Sequence, residues 1–574
     1  MTGIFMPDKT KDKIVIYQVF TRLFGNENRE CVHSGSIRQN GCGKFSNFNI
    51  NALSAIKRKG ITHIWYTGVI EHATTTAYEG IDSNHPAIVK GKAGSPYAIR
   101  DYYNVDPDLA DNPRCRMEEF ESLVKRTHDC GMKVIIDFVP NHVARQYHSG
   151  SLPEGAEDLG SGDDKSVSFS PYNNFYYIPQ HKLEGQFDMT CGEPEPYCEY
   201  PAKVTGNNRF DAHPTVNDWY ETVKLNYGID FQNGGVKHFN PVPDTWHKML
   251  GILLFWAGKK IDGFRCDMAE MVPVEFWQWA IASVKRQYPD IVFIAEVYNP
   301  ALYHEYICTG GFDYLYDKVG LYDTLKAVTR GEASAAKITN CWQSLGGLDK
   351  KMLNFLENHD EQRIASSFYI NDPFKAIPAM VVSAAINTNP VMIYFGQEFG
   401  EKGMDAEGFS GVDGRTTIYD YWSMDTIRRW TNGGRYDSAA LTNDELKLDR
   451  FYSALLNICN YEKAISCGMF FDLTYVNLDN PDFDKDRQFA FLRAYGDEVI
   501  LIVANFKDTE AIVGVNIPKH AFDCFNLPEE RHETEGIDLL SGRKIFTPFC
   551  SEKKVVAGVS AHSAVMVKFL LTDD

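Results

Sequence analysis

Short apolar runs recur along the chain, and most of them stop at a polar cluster. Ile14-Val15-Ile16-Tyr17-Gln18-Val19-Phe20 is β-branched and aromatic and predicts a first strand, and Ile61-Thr62-His63-Ile64-Trp65-Tyr66 predicts a second. Between them Ile50, Leu53 and Ile56 fall at helical spacing, with Gly60 as the stop. Phe120, Leu123 and Val124 mark another helix, stopped at Gly131 before the run Met132 to Val139. Further strands are predicted near Lys260 to Cys266, Ile291 to Glu296, Phe312 to Tyr316, Met352 to Leu356 and Pro390 to Phe395. Strands alternating with helices predict a parallel sheet covered by helices, and eight strands is the number that closes a (β/α)8 TIM barrel.

Two stretches break this rhythm. Residues from about Val143 to Phe239 are rich in Gly, Pro, Asn and Tyr and too long for a simple crossover, so a small inserted domain after the third strand is expected. Asp218-Trp219-Tyr220 to Phe231 lies near its end and is expected to wall a cleft. Leu446 to Cys459 reads as a last helix, and beyond about Cys467 the period changes to two. Phe489 to Tyr495, the turn Gly496-Asp497, Val499 to Val503, and Ser563 to Leu571 predict a C-terminal antiparallel β-sandwich. The expected division is 1-142 and 240-466 for the barrel, 143-239 for the insertion and 467-574 for the sandwich.

Composition narrows the function. A formal charge of −19, from 77 acidic and 58 basic residues, argues against a partner bound through phosphates, so no nucleic acid is expected. At 13% the aromatic content is enough to supply stacking surfaces as well as core. Met1 to Lys13 is polar and carries Asp8, Lys9, Lys11, Asp12 and Lys13, and no apolar stretch reaches the ~18 residues of a membrane span. Thirteen cysteines at irregular spacing fit a reducing compartment, so a cytoplasmic protein without membrane partners is expected. Cys31-Val32-His33 with Cys42, and Cys191 with Cys198, do not repeat at zinc spacing. The oligomeric state stays open.

The chemistry gathers where the apolar runs end. Gly263-Phe264-Arg265-Cys266-Asp267 presents a cation and a carboxylate two residues apart, on one face of a strand, and a neighbouring arginine favours the ionised carboxylate. Ile291 to Ala295 delivers Glu296 out of an apolar run whose desolvation favours the protonated form. Asp137 to His142 and Glu357-Asn358-His359-Asp360 complete four polar strand ends. These four blocks, in this order, resemble the four sequence regions of the α-amylase family of glycoside hydrolases. Gly396 to Glu401 and Gly414 to Asp420 also resemble family segments, as does the long insertion after the third strand.

The resemblance implies a retaining double displacement in which Asp267 is the nucleophile, Glu296 the acid and base, and Asp360 a holder of the distorted sugar. It further implies that His142 and His359 bracket that sugar, that Tyr97 stacks on it, and that Asp137 orients its neighbours. Arg265 and Arg363 are candidate substrate contacts, Arg363 with Glu357 or Glu361 as alternative partners. Many starch-degrading members carry Lys-His after the nucleophile block; here Met268-Ala269-Glu270-Met271 follows, so Glu270 is expected to replace a leaving-side sugar contact. The missing histidine weakens the usual calcium site, although Asn141 matches one of its ligands. No cofactor is required, and a structural calcium stays open. The expected activity is hydrolysis of α-1,4 bonds in starch, glycogen or maltooligosaccharides. An α-glucan transglycosylase is the first alternative, and a non-catalytic sugar-binding barrel, which would generally have lost catalytic carboxylates, is the second.

Overall fold

A computed structural model describes residues 13–527 and 534–570. The polar segment from Met1 therefore lies outside the described residues up to residue 12, as does Leu571. Eight parallel strands form a closed barrel: β1 Val15–Phe20, β2 His63–Thr67, β3 Lys133–Phe138, β4 Gly263–Cys266, β5 Val292–Ala295, β6 Tyr314–Tyr316, β7 Met352–Phe355 and β8 Val391–Tyr394. They follow one another around the ring, and β8 closes on β1 through Val15↔Val391 and Tyr17↔Ile393. All six residues of β1 are buried, as expected of a barrel strand with side chains inside and helices outside.

The helices follow from local signals. Ile50–Arg58 starts where the Asn49 side chain accepts from the N–H groups of Asn51 and Ala52, and it buries Leu53 and Ile56 against the barrel. Gly60, at φ +91°, leaves no room for a Cβ, which would meet the backbone of Asn457 at 2.8 Å. The close approach is to Asn443–Tyr461, a helix opened by a reciprocal Thr442–Glu445 capping box.

Between β3 and the helix Asp244–Gly258 the chain makes short antiparallel pairs instead of regular structure. At the base of this excursion His142–Ala144 pairs with Thr222–Lys224, bringing its outgoing and returning segments together beside the barrel mouth.

Beyond the barrel a six-stranded antiparallel sheet begins at Met469–Asp472 and includes Gln488–Tyr495, Glu498–Asn505 and Ser563–Leu570; a second sheet pairs Ala511–Val515 with Val555–Val559. The period of two seen in the sequence divides between two cores. Phe489, Phe491, Ile500 and Ile502 join the barrel's apolar core, while Ala490, Leu492, Val499, Leu501 and Val503 form a separate one with Val513, Val515 and Val555. Both faces of the central strands are thus buried. No helix of the described residues is long and apolar enough to cross a membrane.

Arg493 staples the sheet to the barrel. Wholly buried, it donates to the carbonyls of Ala385, Ile465, Gly468 and Met469, and burial, partly offset by Cys459, Cys467 and Asp349, draws its pKa down to about 9. Arg493→Met, which leaves those carbonyls without their donor, is expected to cost about 3–5 kcal/mol and to lower the thermal midpoint in a calorimetric scan.

Candidate active site

Asp267 lies one residue beyond β4, its N–H donating to the carbonyl of Phe138 on the neighbouring strand at 2.9 Å. Glu296 lies one residue beyond β5. Arg265 joins them: Nη1 donates to Asp267 Oδ1 at 2.8 Å, Nη2 lies 2.8 Å from Glu296 Oε2, and Nε donates to the Tyr316 hydroxyl at 3.0 Å. Asp137 approaches Nη1 at 3.5 Å and takes a second hydrogen bond from Trp65 Nε1. Met268 then adopts φ 42°, a left-handed conformation unusual for a long side chain, and its N–H donates to Glu296 Oε2 at 2.8 Å. The other Glu296 oxygen accepts from the Tyr298 hydroxyl at 2.6 Å.

From the other side come β7 and the connection after β2. Gln18 donates to His359 Nδ1 at 2.8 Å, so the proton of the neutral imidazole sits on Nε2, 3.1 Å from Asp360 Oδ2 and 2.5 Å from the Tyr97 oxygen. The Tyr97 ring stacks on His359 with centroids 5.2 Å apart. Burial pushes the His359 pKa far below its usual value, with Arg265 adding to the effect, and burial takes His142 down to about 3. Both histidines are neutral hydrogen-bonding groups near pH 7.

A cavity of about 130 Å³ joins Tyr97, His142, Asp267, Glu296 and Asp360, with Met268, Trp219, Lys90, Glu221, Phe409 and Tyr419 also lining it. The three carboxylates, one histidine and the stacking tyrosine singled out in the sequence therefore face one space. Four of the predicted catalytic and substrate-binding residues do not line it: Arg265 and His359, both buried behind the residues they hold, and Glu270 and Arg363. Glu270 Oε2 accepts from the N–H groups of Tyr298 and Asn299, and the residue borders a separate depression with Phe231 and Lys237; it pins the turn that carries Tyr298. Arg363 is fully buried, held by Glu357, the Phe395 carbonyl and Thr416.

The charge on Asp267 also differs from expectation. Its carboxyl is raised well above the usual range because burial outweighs Arg265, whose cation is shared with Glu296, itself a further upward influence. Asp360 is pushed up to about 7 and Asp137 to about 6, again chiefly by burial. Asp267, Asp360 and Asp137, gathered around one guanidinium, retain protons to higher pH than isolated carboxylates would.

Calcium finds no fitting cradle at Asn141. The buried Lys224 ammonium donates to Asn141 Oδ1, and the Asn141 amide donates to the Gly206 carbonyl at 3.0 Å, so the oxygen that would face a metal already faces a cation. Among the described residues no group of three or more His, Cys, Asp and Glu could hold a metal ion.

A family model described as the α-amylase catalytic domain matches residues 18–445. The chain belongs to the α-amylase family. This α-amylase-family enzyme is 21% identical over 508 residues to α-amylase 2 of Dictyoglomus thermophilum, covering 88% of this chain and 71% of that one. It is 25% identical over 230 residues to an α-1,4-glucan:maltose-1-phosphate maltosyltransferase of Cereibacter sphaeroides, covering 35% of this chain and 37% of that one. Its fold is similar to the crystal structure of a noncanonic maltogenic α-amylase of Thermotoga neapolitana, with a TM-score of 0.63 at 18% identity over 97% of this chain and 99% of that one. An enzyme of this family acts on α-glucans by hydrolysis or glycosyl transfer.

Two outcomes test this description. The folded Asp360 keeps its proton up to about pH 7, whereas the unfolded chain releases it near the ordinary 3.8, so this group's contribution to stability falls as pH rises between those values. Asp360→Asn removes that fall: its thermal midpoint is expected to exceed the wild type's by roughly 2 °C at about pH 7.5 and to match it near pH 4. Neither a chelator nor millimolar calcium is expected to move the wild-type midpoint by more than about 1 °C, because Asn141 Oδ1, the candidate ligand, already accepts from the Lys224 amine.

Proposed function

We propose that this enzyme is a retaining hydrolase of α-1,4-linked glucans. The observation that carries the reading is the placement of Asp267 and Glu296 on the two terminal nitrogens of one guanidinium, each at 2.8 Å, with both facing one cavity. So close a pair suits the ~5–5.5 Å separation of a retaining mechanism better than the ~6.5–9.5 Å that leaves room for an inverting water.

Asp267 attacks the anomeric carbon while Glu296 protonates the leaving oxygen. Attack needs the Asp267 carboxylate, so the proton held by the pair must reside on Glu296 as the bond breaks. Positive charge developing on the sugar beside Asp267 favours that distribution. Glu296 then takes a proton from water, which attacks the glycosyl ester and restores the starting state. Asp360 and His142 supply hydrogen bonds to hydroxyls of the reacting ring, Tyr97 a flat apolar face, and His359 holds Asp360 and Tyr97 in place from behind. No metal enters these steps.

Interception of the covalent intermediate by a sugar hydroxyl in place of water is the second reading, and the similarity to a named maltosyltransferase supports it. A product profile on maltooligosaccharides, pullulan and cyclodextrins separates the two: products longer than an added maltoheptaose identify transfer. Asp267→Asn is expected to lower kcat by at least about 10³-fold while leaving the far-ultraviolet spectrum and melting curve intact. Turnover near the wild-type rate would remove Asp267 from the nucleophile's role.

A further inference from the structure

One end of the catalytic cavity is closed by three segments from different parts of the chain. Lys90, after β2, pairs with Glu221 of the insertion at 3.0 Å, and the Lys90 ammonium lies 5.7 Å from the ring centres of both Tyr220 and Tyr419. Tyr419, after β8, accepts at its carbonyl from the N–H groups of Ala93 and Gly94, at 3.0 and 3.1 Å. Gly91, at φ +64°, lets the two backbones meet, because a Cβ there would collide with that same carbonyl. Glu221 is 4% exposed, and its Oε2 has no hydrogen-bond partner among the described residues although the residue lines the cavity. A buried carboxylate oxygen left in this state is costly unless water or a ligand donates to it.

Strand order shows where these segments leave the ring. In the eight-membered ring β4 lies opposite β8 and β5 opposite β1. Asp267 and Glu296 follow β4 and β5, whereas Lys90 and Tyr419 follow β2 and β8, the two neighbours of β1. Lys90 and Tyr419 thus belong to connections that leave the ring on the side away from Asp267 and Glu296, while Glu221 comes from the insertion after β3 and Asp360 follows β7. In a pyranose, C4 is across the ring from C1, so a sugar whose anomeric carbon meets Asp267 carries its C4 and C6 hydroxyls away from Asp267, within a cavity that Lys90 and Glu221 also line. The cavity of about 130 Å³ falls well below the ~300–1,000 Å³ of common ligand pockets, so it is sized for a single ring.

We propose that Lys90 and Glu221 form a blind end that binds the C4 and C6 hydroxyls of a terminal glucosyl residue, so that the enzyme removes single glucose units from the non-reducing ends of α-glucans. Glu221 Oε2 accepts from one hydroxyl, and the Lys90 ammonium donates to another. This inference rests on the α-glucan reading above.

The test compares maltoheptaose glycosides with a free non-reducing end and with that end blocked by a 4,6-O-ethylidene group. The free substrate is expected to yield glucose as its earliest product, and the blocked one to react at least about 100-fold more slowly in kcat/KM. Cleavage of the blocked substrate within about threefold of the free one, or maltose and longer fragments as the earliest products, would overturn the blind end while leaving the glucan reading intact. No cleavage of either would overturn both. Glu221→Gln keeps the side chain's shape and is expected to lose at least about 10-fold in kcat/KM on maltotriose, carried by KM. An equal fall in kcat with KM unchanged would count against a binding role.

Discussion

The site is built around one cation. Arg265 is 1% exposed and reaches Asp267, Glu296 and Asp137, while the rings of Trp65, Tyr97 and Tyr316 surround its guanidinium at 5.3 to 5.5 Å. The aromatic faces stabilise the charge and exclude water, which makes each ion pair stronger and each unpaired acid more costly. One positive charge cannot neutralise three carboxylates, and burial raises the Asp267 and Asp137 carboxyls above their ordinary range despite the pairing.

The rest of the mouth is shaped by loops whose geometry is set by short-range contacts. The left-handed turn at Met268 aims a backbone N–H at Glu296, and Glu270 fixes the turn that delivers the Tyr298 hydroxyl to the same carboxyl. Beneath the insertion, the Lys224 ammonium holds Asn141 next to His142. Its pKa is drawn down to about 7 by burial, so its charge is itself sensitive to conditions close to neutrality. Scaffold and chemistry are therefore joined through Glu270, Tyr298, Asn141 and Lys224, none of which lines the cavity.

Much of the barrel is legible in the sequence because each strand is a short apolar run and its chemistry follows immediately after it. Asp267, Glu296 and Asp360 are readable for that reason, and Tyr298 could have been found by the same alternation, two residues beyond Glu296. Glu270 and Arg363 are harder to read. Both stand beside strand-end motifs, yet one turns back to cap a loop and the other turns down onto Glu357, and sequence spacing does not report which way a loop side chain points. The protonation of Asp267 depends on how many acids share Arg265, a count that exists only once distant strand ends converge. Lys90 and Glu221 carry no local pattern at all, since their pairing requires the insertion to fold back over the connection after β2.

The C-terminal sheet has a consequence for how this architecture can change over evolutionary time. Because alternate residues of Gln488–Tyr495 feed two different cores, and Arg493 reaches through to the Ala385 carbonyl, the last hundred or so positions serve as the outer wall of the catalytic unit. Truncating the gene ahead of that sheet would leave a greasy flank on the barrel's helices and orphan the carbonyls beneath it. The terminal module can be lost only if something equally apolar takes its place.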